Sequence, residues 1–186
     1  MQSEERRCAE QKKFLKIDAA FRAGDLAALR EAVDDPDAIP NLKTLPIDIG
    51  TCLEYAIYHS PLPFIRQLLE LGADVRPDRA AHAGFPPLIA ALSCSQSVPG
   101  SEARPDVAEI IALLLQFGAD PADRGINDYT ALHMAVAVRN TEAVELLLAA
   151  GADPSLRTTI DDCETPLEMA RSASLHDIAA VIESAQ

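Results

Sequence analysis

Four cysteines and four histidines are the side chains in this 186-residue chain best suited to nucleophilic, redox or metal chemistry. Cys8, Cys52, Cys94 and Cys163 are scattered, without the close pairs of a zinc site or a disulfide framework, and read as reduced thiols. Cys94 and His82 lie in one segment of the chain, where a thiol and an imidazole near each other would make a nucleophile and its base. Nothing marks an orienting third group or an oxyanion site beside them. The stretch DDCE at 161–164 clusters three acids, Asp161, Asp162 and Glu164, as a cation site would, but it reads more simply as a solvated hairpin tip. No phosphate-binding glycine loop, G-x-S-x-G elbow, H-E-x-x-H pair or EF-hand loop occurs. The expectation is a protein without catalytic residues, cofactor or metal.

The elements that would carry these residues come from a repeated pattern. QLLELGADVRP, LLLQFGADPAD and LLLAAGADPSL share Leu-Leu-x-x-Gly-Ala-Asp, with glycines at 72, 118 and 151, at intervals of 46 and 33 residues. About fourteen residues beyond each Gly-Ala-Asp stands a second motif: PPLIAA at 86–91, TALHMA at 130–135 and TPLEMA at 165–170. TCLEYA at 51–56 precedes the first glycine. Each letter has a physical task. Thr165 can accept a free N–H at a helix start, and Pro166 tolerates the first turn because its missing N–H has no partner there anyway. Leu167 and Ala170 share one helical face. Val144, Leu147 and Leu148 form the buried stripe of a second helix, which Gly151 ends in a left-handed conformation. Asp153 can then turn its carboxylate onto the following backbone. The unit is helix, tight turn, helix and extended loop, and it needs neighbours to bury its face.

With these boxes and a period near 33 residues, the chain resembles the ankyrin-repeat family over about residues 14–184. The resemblance implies an all-α solenoid of about five helix–turn–helix units with short connecting loops. The longer interval is explained by eleven extra residues between the helices of the third unit, in SCSQSVPGSEARPD (93–106), rich in Ser, Pro and Gly and expected at the surface. The divisions are a charged N-terminal segment 1–13, a capping repeat 14–36, repeats at 37–74, 75–120 and 121–153, and a C-terminal capping repeat 154–186. The inter-helix turn glycine is replaced by Ser60, Arg139 and Ser174, and the box histidine survives only as His133, with Glu54, Ile89 and Glu168 at the matching places. In the family this histidine is structural, which implies the same for His133.

The resemblance implies a non-catalytic protein–protein interaction module, an adaptor, inhibitor or regulator, that binds through its loop tips and the late positions of its first helices. By register these are Ile47, Asp48, Tyr58 and His59; His82, Phe85, Ser93 and Cys94; Ile126, Asn127, Tyr129 and Val138; and Asp161, Asp162, Glu164 and Ser172. Aromatic anchors are enriched at binding hot spots. Phe85 and Tyr129 have a second reading, as side chains packed between neighbouring loops. The net charge of −13 argues against nucleic acid and anionic membrane, and suits a partner with a basic surface. Residues 1–16 hold five basic side chains against three acids, leaving −15 on the rest. MQSEERRCAEQKK has no apolar run, and no stretch approaches the roughly 18 apolar residues of a membrane span, so a monomer in the cytoplasm is expected. The Ala- and Arg-rich, Lys-poor composition looks bacterial, where an acidic binder of this size would suit immunity to a basic toxin. The reading from a different class is a small metal, redox or hydrolytic protein built on Cys94 and His82.

Overall fold

The computed structural model describes residues 2–42, 50–76, 84–97, 102–160 and 163–185. Among them the chain is helical, with ten α-helices, two short 3-10 turns and no strand. The helices gather into two compact units, residues 1–84 and 85–186.

In the first unit, helix α1 (Gln2–Ala23) turns through Gly24 and Asp25 onto α2 (Leu26–Ala32) and also rests on α3 (Cys52–His59), which pairs with α4 (Leu62–Glu70). The Asp25 carboxylate accepts the Ala28 N–H at 3.0 Å and so starts α2. Ile17, Phe21, Leu29, Leu53, Ile57 and Phe64 form the buried centre. The Phe21 ring meets Tyr55 and Phe64 edge-on, with centroids 4.9 and 5.8 Å apart, a favourable geometry for aromatic quadrupoles. From Gln2 on, the charged segment 1–13 and the residues that follow it share one helix. No proline or glycine interrupts residues 2–22, so α1 runs continuously through residue 13.

In the second unit, α5 (Pro87–Ser93) pairs with α6 (Val107–Gln116), α7 (Ala131–Ala137) with α8 (Thr141–Ala149), and α9 (Pro166–Ser172) with α10 (His176–Ser184). The first helices α5, α7 and α9 neighbour one another in one layer, and α6, α8 and α10 in another. Small box residues permit this. Ala91, Ala135 and Ala170 are fully buried at equivalent points of α5, α7 and α9. Between the layers lie Leu132, Val136, Val144 and Leu147, each fully buried. Burying one such Val or Leu contributes about 1.5–3 kcal/mol. This is the expected ankyrin-like helical-repeat architecture, with two helix pairs in the first unit and three in the second.

The insertion does fall between the two helices of one pair, α5 and α6, and its described ends are tied together. The Arg104 N–H donates to the Cys94 carbonyl at 2.9 Å, and the Ala103 N–H to Ser97 Oγ at 3.1 Å. Asn140, which caps α8, also donates its side-chain amide to Ser95 Oγ at 3.1 Å.

Gly118 and Gly151 end α6 and α8 with φ of +89° and +86°, and a Cβ on either would meet nothing within 4 Å. Glycine is required there by backbone conformation, not by space. The inter-helix turns tell the opposite story. Arg139 and Ser174 hold the left-handed conformation at φ +57° although neither is glycine. Ser60 departs from them: its φ is −102°, and Pro61 opens α4 instead. A left-handed L-residue costs about 1–2 kcal/mol. Arg139→Gly and Ser174→Gly should therefore each stabilise the fold by about 1 kcal/mol, while Gly151→Val should destabilise it by more than that. Urea midpoints at unchanged transition slope check both signs.

Candidate functional site

The expected contact residues of the second unit flank its first helices. Phe85, Tyr129 and Glu164 lie just before α5, α7 and α9, and Ser93, Cys94, Val138 and Ser172 lie at their far ends. Seven-residue helices rise about 10 Å, and packed helices stand about 8–10 Å apart, so the two rows border a narrow strip. Phe85, Ser93, Cys94, Tyr129, Val138 and Glu164 are half-buried, and Asn127 and Ser172 are exposed. In the first unit Tyr58 and His59 close α3, both half-buried, with rings 6.1 Å apart. Ile47, Asp48, His82, Asp161 and Asp162 lie outside the described residues, as does the side chain of Ile126.

Capping fixes how these tips stand. His133 is 0% exposed. Its Nδ1 accepts the Thr130 N–H at 3.3 Å, and its Nε2 lies 3.1 Å from the Glu164 carbonyl oxygen. The proton must then sit on Nε2, making one neutral imidazole both the cap of α7 and a clasp on the loop before α9. Burial pushes its pKa down, outweighing the Glu164 carbonyl bond that favours the charged form. Tyr129 stacks on this imidazole at 5.7 Å, with planes 21° apart. Its ring thus packs locally against His133, as the second reading of it expects, and stays half-exposed.

Glu168 takes the histidine's place in α9 and caps it in the same way, but faces a donor on its other side. It accepts the Thr165 N–H at 2.9 Å and two hydrogen bonds from Arg157, at 2.6 and 2.7 Å. Those Arg157 bonds, first, and the Thr165 backbone bond hold its carboxyl below the usual range. At the same register in α3, Glu54 is only 4% exposed and its carboxylate lies against Gly50 and Gly84, where any Cβ would overlap it.

Asp128, not singled out from the sequence, joins two tips. Its carboxylate accepts the Thr159 N–H and hydroxyl at 2.7 and 2.8 Å and pairs with Arg124 at 2.6 Å. The Thr159 bonds, foremost, hold its pKa below the ordinary value. Asn127 and Asp128 are both left-handed, at φ +55° and +59°, which aims Asn127 into solvent at the tip. Beside His59, Asp18 accepts the Tyr55 hydroxyl at 2.6 Å and Arg22 Nε at 2.9 Å, and the Tyr55 and His59 rings lie 4.5 Å apart. Burial raises the Asp18 pKa, but the Arg22 and Tyr55 bonds together outweigh it and leave it lowered. The Asp18–Arg22 spacing of four residues was a visible signal, whereas the Tyr55 partner, 37 positions away, was not.

The chemistry considered for Cys94 fares poorly. Its thiol points back at the Ala90 carbonyl, 3.4 Å away, and burial pushes its pKa up to about 11, opposite to what a nucleophilic thiolate needs. Among the described residues no group of three His, Cys, Asp or Glu could hold a metal ion. No helix among them is long and apolar enough to cross a membrane.

Residues 127–159, from the Asn127 tip through α7 and α8 to Thr159, match the ankyrin repeat family. No curated protein matches the chain. An ankyrin repeat is a protein-interaction unit, and the matched segment contains His133 and both ends of the Asp128–Thr159 tip contact.

The His133 pKa is lowered from 6.5 in the folded chain. Its contribution to stability is therefore complete above that value and is lost as pH falls below it, where the unfolded chain takes up a proton that the fold resists. Urea midpoints measured at pH 7.5 and pH 5 should drop more for the wild type than for His133→Gln, which removes the titrating ring.

Proposed function

We propose that this ankyrin-repeat protein is a non-catalytic binding module that regulates or inhibits a partner protein held across the tips and first helices of its repeats. The observation that carries this reading is that half-buried Phe85 and Tyr129 stand before the adjacent first helices α5 and α7, with half-buried Val138 at the far end of α7 and exposed Asn127 and Ser172 in the same two rows. An apolar centre with a polar rim is the anatomy of a protein interface. Tyr58 and His59 offer a comparable aromatic edge in the first unit, and the 43–49, 77–83 and 161–162 segments, with Ile47, Asp48, His82, Asp161 and Asp162, complete the proposed contact set. The net charge of −13 favours a partner with a basic patch, and a basic toxin is one such partner. Four dispersed thiols suit a reducing compartment such as the cytoplasm.

The experiment is affinity capture from the native lysate, with mass spectrometry to identify the partner and titration to quantify it. Tyr129→Ala should cost about 2 kcal/mol or more of binding energy if it anchors the interface, and Val138→Arg should abolish capture. Glu145→Arg, on the opposite α8 surface, should bind as wild type, and added salt should slow association. Loss of binding through Glu145→Arg, with both tip-face variants unaffected, would refute the assignment.

A further inference from the structure

The outer side of the first helix pair carries a second apolar surface, remote in register from the residues discussed above. Leu15 is 55% exposed, the most exposed of the large hydrophobic side chains described. Ala19 and Ala23 follow it at helical spacing on α1, and all three face solvent. Across a groove of about 420 Å³, Ala28 and Ala32 of α2 complete the floor, with Lys16 and Glu31 at its rim. Alanine on both walls leaves room for another helix to approach closely.

The charge around this face is split. Residues 7–16 of α1 carry Arg7, Lys12, Lys13 and Lys16 against the single acid Glu10. Residues 31–37 carry Glu31, Asp34, Asp35 and Asp37 and no base. The two regions attract within the chain already, since Lys13 pairs with Asp34. A groove with a basic helix along one wall and an acidic segment along the other is complementary to itself. In an isologous two-fold contact the basic α1 half of each copy faces the acidic segment of the other. A partner of a single charge sign would gain from one half and lose to the other.

We propose that two copies of this chain associate through this α1–α2 face, with Leu15, Ala19 and Ala23 at the centre and the Lys16 and Glu31 regions pairing across the two-fold axis. The dimer would present two binding faces at once and so raise avidity for a repetitive or dimeric target. The association itself does not rest on the loop-tip reading; only the gain in avidity does.

Sedimentation velocity over a broad dilution series tests it, using the whole 186-residue chain. The expected result is a concentration-dependent shift from the mass of one chain to that of two. Leu15→Glu and Ala19→Arg, both at exposed positions, should leave the helical circular dichroism unchanged and hold the protein at the mass of one chain. Lys16→Glu and high salt should each weaken association. A one-chain mass at every concentration overturns the proposal, and so does a dimer that survives both Leu15→Glu and Ala19→Arg. A dimer indifferent to Lys16→Glu and to salt overturns the charge pairing that selects a second copy.

Discussion

The described α-helices other than α1 have seven to ten residues and are too short to persist alone in water, because nucleation costs more than so few hydrogen bonds return. Each therefore exists only while its apolar stripe is covered by a neighbour. In the second unit the requirement is met in two directions. Leu132 and Val136 of α7 and Val144 and Leu147 of α8 are fully buried within one helix pair, and the small Ala91, Ala135 and Ala170 let adjacent pairs close up. Stability is thus distributed as contacts between neighbours, in the manner of a repeat protein. Removing one interface exposes two stripes.

Polar contacts give those apolar contacts a register. Hydrocarbon packing is non-directional, but the His133 clasp on the Glu164 carbonyl specifies which loop stands against which helix start. Equivalent positions use different chemistry for this task. A neutral imidazole donates in α7, a carboxylate accepts from Thr165 and Arg157 in α9, and a buried carboxylate fills the space left by two glycines in α3. His133 and Glu168 both accept the N–H of their own capping threonine, but toward the adjoining loop His133 donates to a carbonyl whereas Glu168 accepts from a guanidinium.

The same rigidity shapes the surface available to a partner. Tyr129 stacks on the capped imidazole, and Asp128 ties its own tip to Thr159, so neither tip must be ordered when something binds. In general, side chains already held in place lose less freedom on binding than side chains that must first be ordered. Left-handed Arg139 and Ser174 show the other side of this arrangement, retained strain at turns that glycine would relax.

Much of this could be read from the residues in order. Thr130, Thr165, Pro166, Gly118 and Gly151 act through their own backbone and the next few residues, so helix starts and ends follow from local chemistry, and their recurrence reveals the helix pairs. The insertion between α5 and α6 was legible for the same reason, as an excess over a fixed interval. The continuity of α1 through residue 13 follows from the absence of proline and glycine over residues 2–22. Other features had no local signal. Asp18 meets Tyr55 across 37 positions, Asp128 meets Thr159 across 31, and Arg157 reaches Glu168 across 11. Asp and Glu look alike in a string of letters whether they face water or a partner. Which of them is held, and which remains to meet another molecule, depends on where packing places distant segments, and no spacing along the chain encodes that distance.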